Sequence, residues 1–118
     1  EPEQEIGIGE LVDLGIDGDI WVLGKKGEVS KLRRGSRERF GLVGKPENLA
    51  GNRLAVQLES EQIAILDTSS SRVVVFSKES GEYMHQLIWD GFSTAKDILY
   101  TTDGRLMVLS EGKLYWVE

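Results

Sequence analysis

Three segments of the chain repeat one apolar pattern at a fixed interval: Asp19–Leu23, Gln62–Leu66 and Arg105–Leu109. Their closing residues, Leu23, Leu66 and Leu109, stand 43 residues apart, twice over. A constant period of that length signals a stack of like supersecondary units, each too small to bury its own apolar face. Within each unit the sequence reads as short strands. The first has Leu11–Ile16, Ile20–Leu23, Val29–Leu32 and a fourth strand near Arg39–Val43. The second has Leu54–Leu58, Ile63–Leu66, Val73–Phe76 and Tyr83–Ile88. The third has Ala95–Tyr100, Leu106–Leu109 and Leu114–Val117. The runs are short, β-branched and bounded by Gly, Asp and Ser, which argues against helix. Asp17-Gly18 and Asp103-Gly104 predict type I′ hairpin turns, where both central residues need positive φ. The second strand of each unit is almost wholly apolar, as expected of a strand covered on both faces.

A four-stranded unit of roughly 40–45 residues is the blade of a β-propeller. The expected fold is therefore all-β, with residues 10–48 as blade 1, 49–91 as blade 2, and 92–118 as blade 3 lacking its fourth strand. Residues 1–9 stand before the first blade and include Gln4–Ile8, a spare strand able to complete a three-stranded blade and cover its bare edge. Propellers usually have four to eight blades. A three-blade unit predicts either part of a longer propeller or a homodimer closing a six-bladed ring. Val12, Leu14, Ile98 and Tyr100 are the expected apolar residues of the two outer faces. Ile6 and Ile8, with Leu114, Tyr115, Trp116 and Val117, are the expected self-assembly residues. The chain begins at Glu1 rather than Met, as expected of a mature product or an excised domain.

Asp17–Leu32 and Ile65–Phe76 resemble NHL-type propeller repeats. They are most similar to the propeller region that follows PPM-type serine/threonine phosphatase domains in some bacterial proteins. There a strand ends in Leu-Asp, and a small polar turn, an Arg, an apolar strand and a Lys-Glu-Gly-like turn follow. Here Leu66-Asp67, Arg72-Val73 and Lys78–Gly81 match. The resemblance covers nearly the whole chain and implies fold far more than chemistry. It carries over no phosphatase activity, since the metal-binding phosphatase domain has no counterpart here. It leaves open a ligand-sensing role beside a signalling domain. Trp89-Asp90 lacks the Gly-His partner of a WD repeat.

Chemistry is sparse. The absence of Cys excludes disulfides, thiolate nucleophiles and zinc-thiolate sites. The one histidine, His85, sits mid-strand without a serine and carboxylate arranged for a triad. Asp13, Asp17, Asp19, Asp97 and Asp103 fall at turns and strand ends, where Asp bonds its own backbone. Gly7-Ile8-Gly9 lacks the strand and helix of a nucleotide fingerprint. The reading is thus non-enzymatic, without cofactor or metal. An axial-site lyase or hydrolase is the rival, and it needs a His or several carboxylates converging on one pocket. No apolar run approaches the roughly 20 residues of a membrane span.

The net charge of −6 argues against nucleic-acid binding. It is unevenly spread, because Lys25–Lys45 holds eight basic residues against two acidic ones. Arg33, Arg34, Arg37 and Arg39 in that stretch are candidates for a protein-facing patch. Trp89 and Phe92 flank the link between blades 2 and 3, where an aromatic either contacts a ligand or plugs the gap between blades.

Overall fold

The structure, a computed structural model, describes residues 6–117. Three antiparallel sheets follow one another along the chain. Blade 1 comprises β1 (Leu11–Ile16), β2 (Ile20–Gly24), β3 (Val29–Arg33) and β4 (Ser36–Arg37). Blade 2 comprises β5 (Arg53–Ala55), β6 (Gln62–Asp67), β7 (Arg72–Ser77) and β8 (Tyr83–Ile88). Blade 3 comprises β9 (Ala95–Tyr100), β10 (Leu106–Ser110) and β11 (Lys113–Val117), so one edge of β11 has no strand beside it among the described residues.

Two expectations are corrected at the turns. The fourth strand of blade 1 is Ser36–Arg37, not Arg39–Val43. Arg34 and Gly35 both take positive φ (52° and 80°), the signature of a two-residue type I′ turn, and reverse the chain at once. Val43 instead forms a parallel bridge to Glu82, its N–H bonding Gly81 C=O. Asp17-Gly18 and Asp103-Gly104 do not make such turns, because only the glycine of each pair has positive φ. Glu111-Gly112 does make one (53° and 76°).

Two apolar layers hold the blades together. Trp21, Leu23, Val29 and Leu49 pack on Leu54, Ile63, Ile65, Val74 and Phe76 between blades 1 and 2. Ala55, Ala64, Leu66, Val73 and Val75 meet Phe92, Ile98, Tyr100, Leu106 and Val108 between blades 2 and 3. The period decides which side chain enters which layer. Leu23 and Leu66 each point at the following blade and are fully buried. Leu109, their equivalent, has no following blade among the described residues and is half-buried. Ile63 and Leu106 point back at the preceding blade and are buried, while their equivalent Ile20 is exposed. Only the middle blade therefore has its second strand sandwiched on both faces.

Polar bridges add direction to the first layer. Asp17 Oδ2 accepts from Lys78 Nζ of blade 2 at 2.6 Å, and its Oδ1 from Trp21 Nε1 at 2.7 Å. Lys78 also donates to Gln57 C=O at 2.8 Å. Burial works to raise the Asp17 carboxyl, but the hydrogen bonds from Lys78 and Trp21 outweigh it and hold it below the ordinary aspartate value. In blade 2, buried Arg72 pairs with Asp67 at 2.9 Å and donates to Glu47 C=O and Gln86. This satisfies both charges away from water, as a buried pair requires.

Candidate interaction surfaces

The outer faces of the stack carry several exposed large apolar side chains. On blade 3, register places Leu99, Met107 and Trp116 side by side, with Leu109 opposite Leu114 in the next row. Leu99, Leu114 and Trp116 are 49 %, 63 % and 53 % exposed. The Arg105 guanidinium lies 3.7 Å from the Trp116 ring centroid, a cation–π contact that shields part of the indole. On blade 1, Ile16, Ile20 and Leu32 share one row, and Leu14, Val22 and Ser30 the next. Leu14 and Ile16 are 60 % and 68 % exposed, whereas Val22 and Leu32 are buried. Val12 and Leu14 lie exposed, as expected. Ile98 and Tyr100 do not, since both are buried between blades 2 and 3. Ile98 faces Val108 across the sheet, so it is Leu99, opposite Met107, that turns outward.

The link between blades 2 and 3 divides the roles of its aromatics. Phe92 is buried in the second layer as a plug. Trp89 stays partly exposed, edge-on to Phe92 at 5.3 Å and to Tyr115 at 4.9 Å between centroids. Its ring folds over Gly91, where an added Cβ would come within 2.2 Å of it. Ser110 Oγ donates to Gly91 C=O at 2.8 Å and fastens the link to β10. An open apolar cleft of about 510 Å³ lies here, lined by Trp89, Tyr115, Trp116 and Val117 together with Leu87 and Ile88. Of the expected self-assembly residues, Tyr115, Trp116 and Val117 line this cleft, and Leu114 stands on the outer face. Ile6 is exposed and Ile8 half-buried; residues 6–8 form no strand, and Ile8 N–H bonds Ile6 C=O at 2.8 Å. Gln4 and Glu5 of the expected strand lie outside the described residues.

The basic stretch is partly neutralised. Arg33 clamps Asp19 through Nε (2.9 Å) and Nη2 (3.1 Å), and Lys31 approaches the same carboxylate at 3.6 Å. The Arg33 hydrogen bond holds the Asp19 carboxyl below its ordinary value. Arg37 donates to Ser30 Oγ. Arg34 and Arg39 are exposed, and among the described residues neither has a carboxylate within 4.0 Å. Asp19, expected to bond its own backbone, instead holds Arg33 and Lys31 of β3 with its carboxylate. His85 is exposed and borders a hollow of about 340 Å³ whose other lining residues include Gln62, Tyr100 and Arg105 but no carboxylate. Among the described residues no three of His, Asp and Glu group to hold a metal, and no helix is long and apolar enough to cross a membrane.

No family model matches the chain, and no curated protein does. Solved structures do. Kluyvelomyces marxianus Hsv2 superposes with a TM-score of 0.69 at 17 % identity over 90 % of this chain and 34 % of that one. Kuenenia stuttgartiensis hydrazine synthase gives 0.63 at 11 % identity, covering 98 % of this chain and 37 % of that one. YCF48 bound to D1 peptide gives 0.58 at 13 %, covering 98 % and 38 %. These are β-propeller proteins, and the fold of the present chain is that of propeller blades. The chain spans about a third of the length of the structures it matches.

Proposed function

We propose that this chain is a non-enzymatic, NHL-type propeller module whose primary act is self-assembly, two copies closing a six-bladed ring that then presents its rims to a protein partner. The observation that carries the reading is repeat equivalence. The outer face of blade 3 consists of the same register positions that, in blades 1 and 2, pack on the next blade. The outer face of blade 1 consists of the positions that, in blades 2 and 3, receive the previous one. The two faces are thus halves of an interface the chain already makes twice internally. Head-to-tail association of unlike faces closes when the rotation permits, and three blades taken twice fall within the usual propeller range. Covering Leu14, Ile16, Ile20, Leu99, Leu114 and Trp116 removes an apolar area that soluble monomers rarely leave open. The Trp89–Tyr115 cleft and the exposed Arg34 and Arg39 are the surfaces proposed for a partner.

Static light scattering at high micromolar concentration tests the assembly. The expected result is twice the mass of the chain, falling toward a single mass on dilution. A well-folded monomer at that concentration overturns the ring.

A further inference from the structure

Each link that enters a first strand carries a large apolar residue shortly before it. In blade 3 the strand β9 opens with Ala95 opposite Ser110, and Phe92 stands three residues before it. In blade 2 the partner of Leu66 is Arg53 and Leu49 stands four residues before it, one residue nearer than Phe92 and Ile8 stand to Asp97 and Asp13, the partners of Leu109 and Leu23. In blade 1 Leu11 stands opposite Gly24, and three residues before it is Ile8. Register makes Ile8 and Phe92 equivalent, and the 43-residue period makes Leu49 and Phe92 so.

Leu49 and Phe92 are both buried plugs, and each fills a socket on the preceding blade. The socket for Leu49 is Leu23, Gly27 and Val29. Leu49 rests on the bare face of Gly27, where an added Cβ would lie 2.8 Å from Leu49 Cγ and 3.4 Å from its Cβ. Phe92 shares its layer with Leu66 and Val73, which pair across β6 and β7 as Leu23 and Val29 pair across β2 and β3. Ser71, in the left-handed region like Gly27 (φ 50° and 82°), bonds Trp89 N–H at the foot of the same link. The third socket is Leu109, Gly112 and Leu114. Leu109 pairs with Leu114, and Gly112 is again left-handed at φ 76°. Among the described residues no plug fills it: a Cβ on Gly112 would meet nothing within 4 Å. Three plugs and three sockets exist, and the chain joins two of each.

We infer that Ile8 of one copy seats in the Leu109–Gly112–Leu114 socket of a second copy. The occupant is a second copy of this chain because plug and socket are the unmatched members of a series whose other members fit each other. The inference rests on the ring proposed above and assigns its register. It also moves Ile8 from a fourth strand, where alternation with Ile6 had placed it, to the plug ahead of a first strand.

The absence of cysteine makes the test direct. Leu49 and Gly27 supply the yardstick, since their Cβ positions fall at about the separation a disulfide needs, roughly 3.5–4.5 Å. The double variant Ile8→Cys/Gly112→Cys is oxidised at a concentration where the parent is dimeric, with Gly27→Cys/Leu49→Cys as the intramolecular control. The expected product is a covalent dimer as the major species on non-reducing gels, with each single variant giving little. Because a side chain at position 112 strains the turn, Ile8→Cys/Leu114→Cys is run in parallel and is expected to cross-link as well. A dimer by light scattering that cross-links in neither variant overturns the seat and leaves the ring standing. A disulfide closed within one chain also overturns it. A monomeric parent removes ring and seat together.

Discussion

Leu66 and Leu109 are the same residue at the same register position of successive blades, yet one is enclosed and the other is not. Truncating each to Ala separates burial from sequence. Leu66 is 0 % exposed in the layer containing Val73, Phe92 and Ala95. Its loss removes three carbons and leaves a cavity between two sheets that cannot collapse onto it, at a cost of about 2–5 kcal/mol. For a chain of this size each kcal/mol moves Tm by about 4 °C, so the expected shift is about 8–20 °C. Leu109→Ala lacks a covering blade in the free chain and is expected to cost about 1 kcal/mol or less there. In the proposed ring the same side chain would be covered and its truncation would weaken association, so its effect is expected to grow with protein concentration. The assay is urea or thermal unfolding of both variants at two concentrations that bracket dissociation. The reasoning is refuted if Leu109→Ala costs as much as Leu66→Ala in the dilute, dissociated chain. It is also refuted if Leu66→Ala costs under about 1 kcal/mol, a value incompatible with a fully packed leucine.

Burial pushes the Tyr100 phenol up to about 12. The native state therefore keeps its proton while the unfolded chain ionises near pH 10. Stability from this group is complete below pH 10 and is lost as pH rises toward 12, by about 3 kcal/mol at 1.36 kcal/mol per unit. Urea unfolding from pH 9 to 12 is expected to show that decline in the parent and not in Tyr100→Phe. Asp17→Asn removes the charge that Lys78 faces across the first layer and is expected to cost about 1–3 kcal/mol at neutral pH. Because the Asp17 carboxyl is held low in the folded chain, its contribution is present above about pH 4 and is lost as pH falls below that, so the gap between variant and parent narrows in acid. His85→Gln, at an exposed position, is expected to change stability by less than about 0.5 kcal/mol and to leave the solution mass unaltered.

The second strands were legible because a 43-residue period repeats three times and their apolar runs have one meaning. The outer strands were less so. Arg34-Gly35 carries no Asn or Asp to announce a type I′ turn, so the fourth strand was expected several residues too late. β9 is apolar on both faces, with Ile98, Leu99 and Tyr100 in succession. Alternation alone could not say which of them points outward, and only the cross-strand partners Val108 and Met107 settle it. The bridge from Asp17 to Lys78 spans 61 residues of sequence, and both partners read locally as turn residues. Trp89 and Phe92 were singled out together; that one lines a cleft and the other plugs a layer follows from β11, whose Tyr115 packs against Trp89.

The same equivalence explains why sequence gave the blades but not the bonds between them. A repeat tells how many sending and receiving faces a chain possesses, whereas the folded structure shows which have met. Trp21 and Leu23 send to blade 2, and Ala64 and Leu66 to blade 3, while Met107 and Leu109 meet no further blade among the described residues. Ile63 and Leu106 receive, and Ile20 does not. At the two matched junctions the first-strand partners of the sending face are small, Gly15 beside Trp21 and Ala55 beside Ala64; at the open one the partner is Leu99 beside Met107. A face that had lost its neighbour would be expected to drift toward polar residues, because apolar area left in water invites aggregation. This one instead carries Leu99, Leu114 and Trp116, more apolar bulk than either matched face shows at those positions. That retained bulk fits a covered junction, and it supports the second copy proposed there.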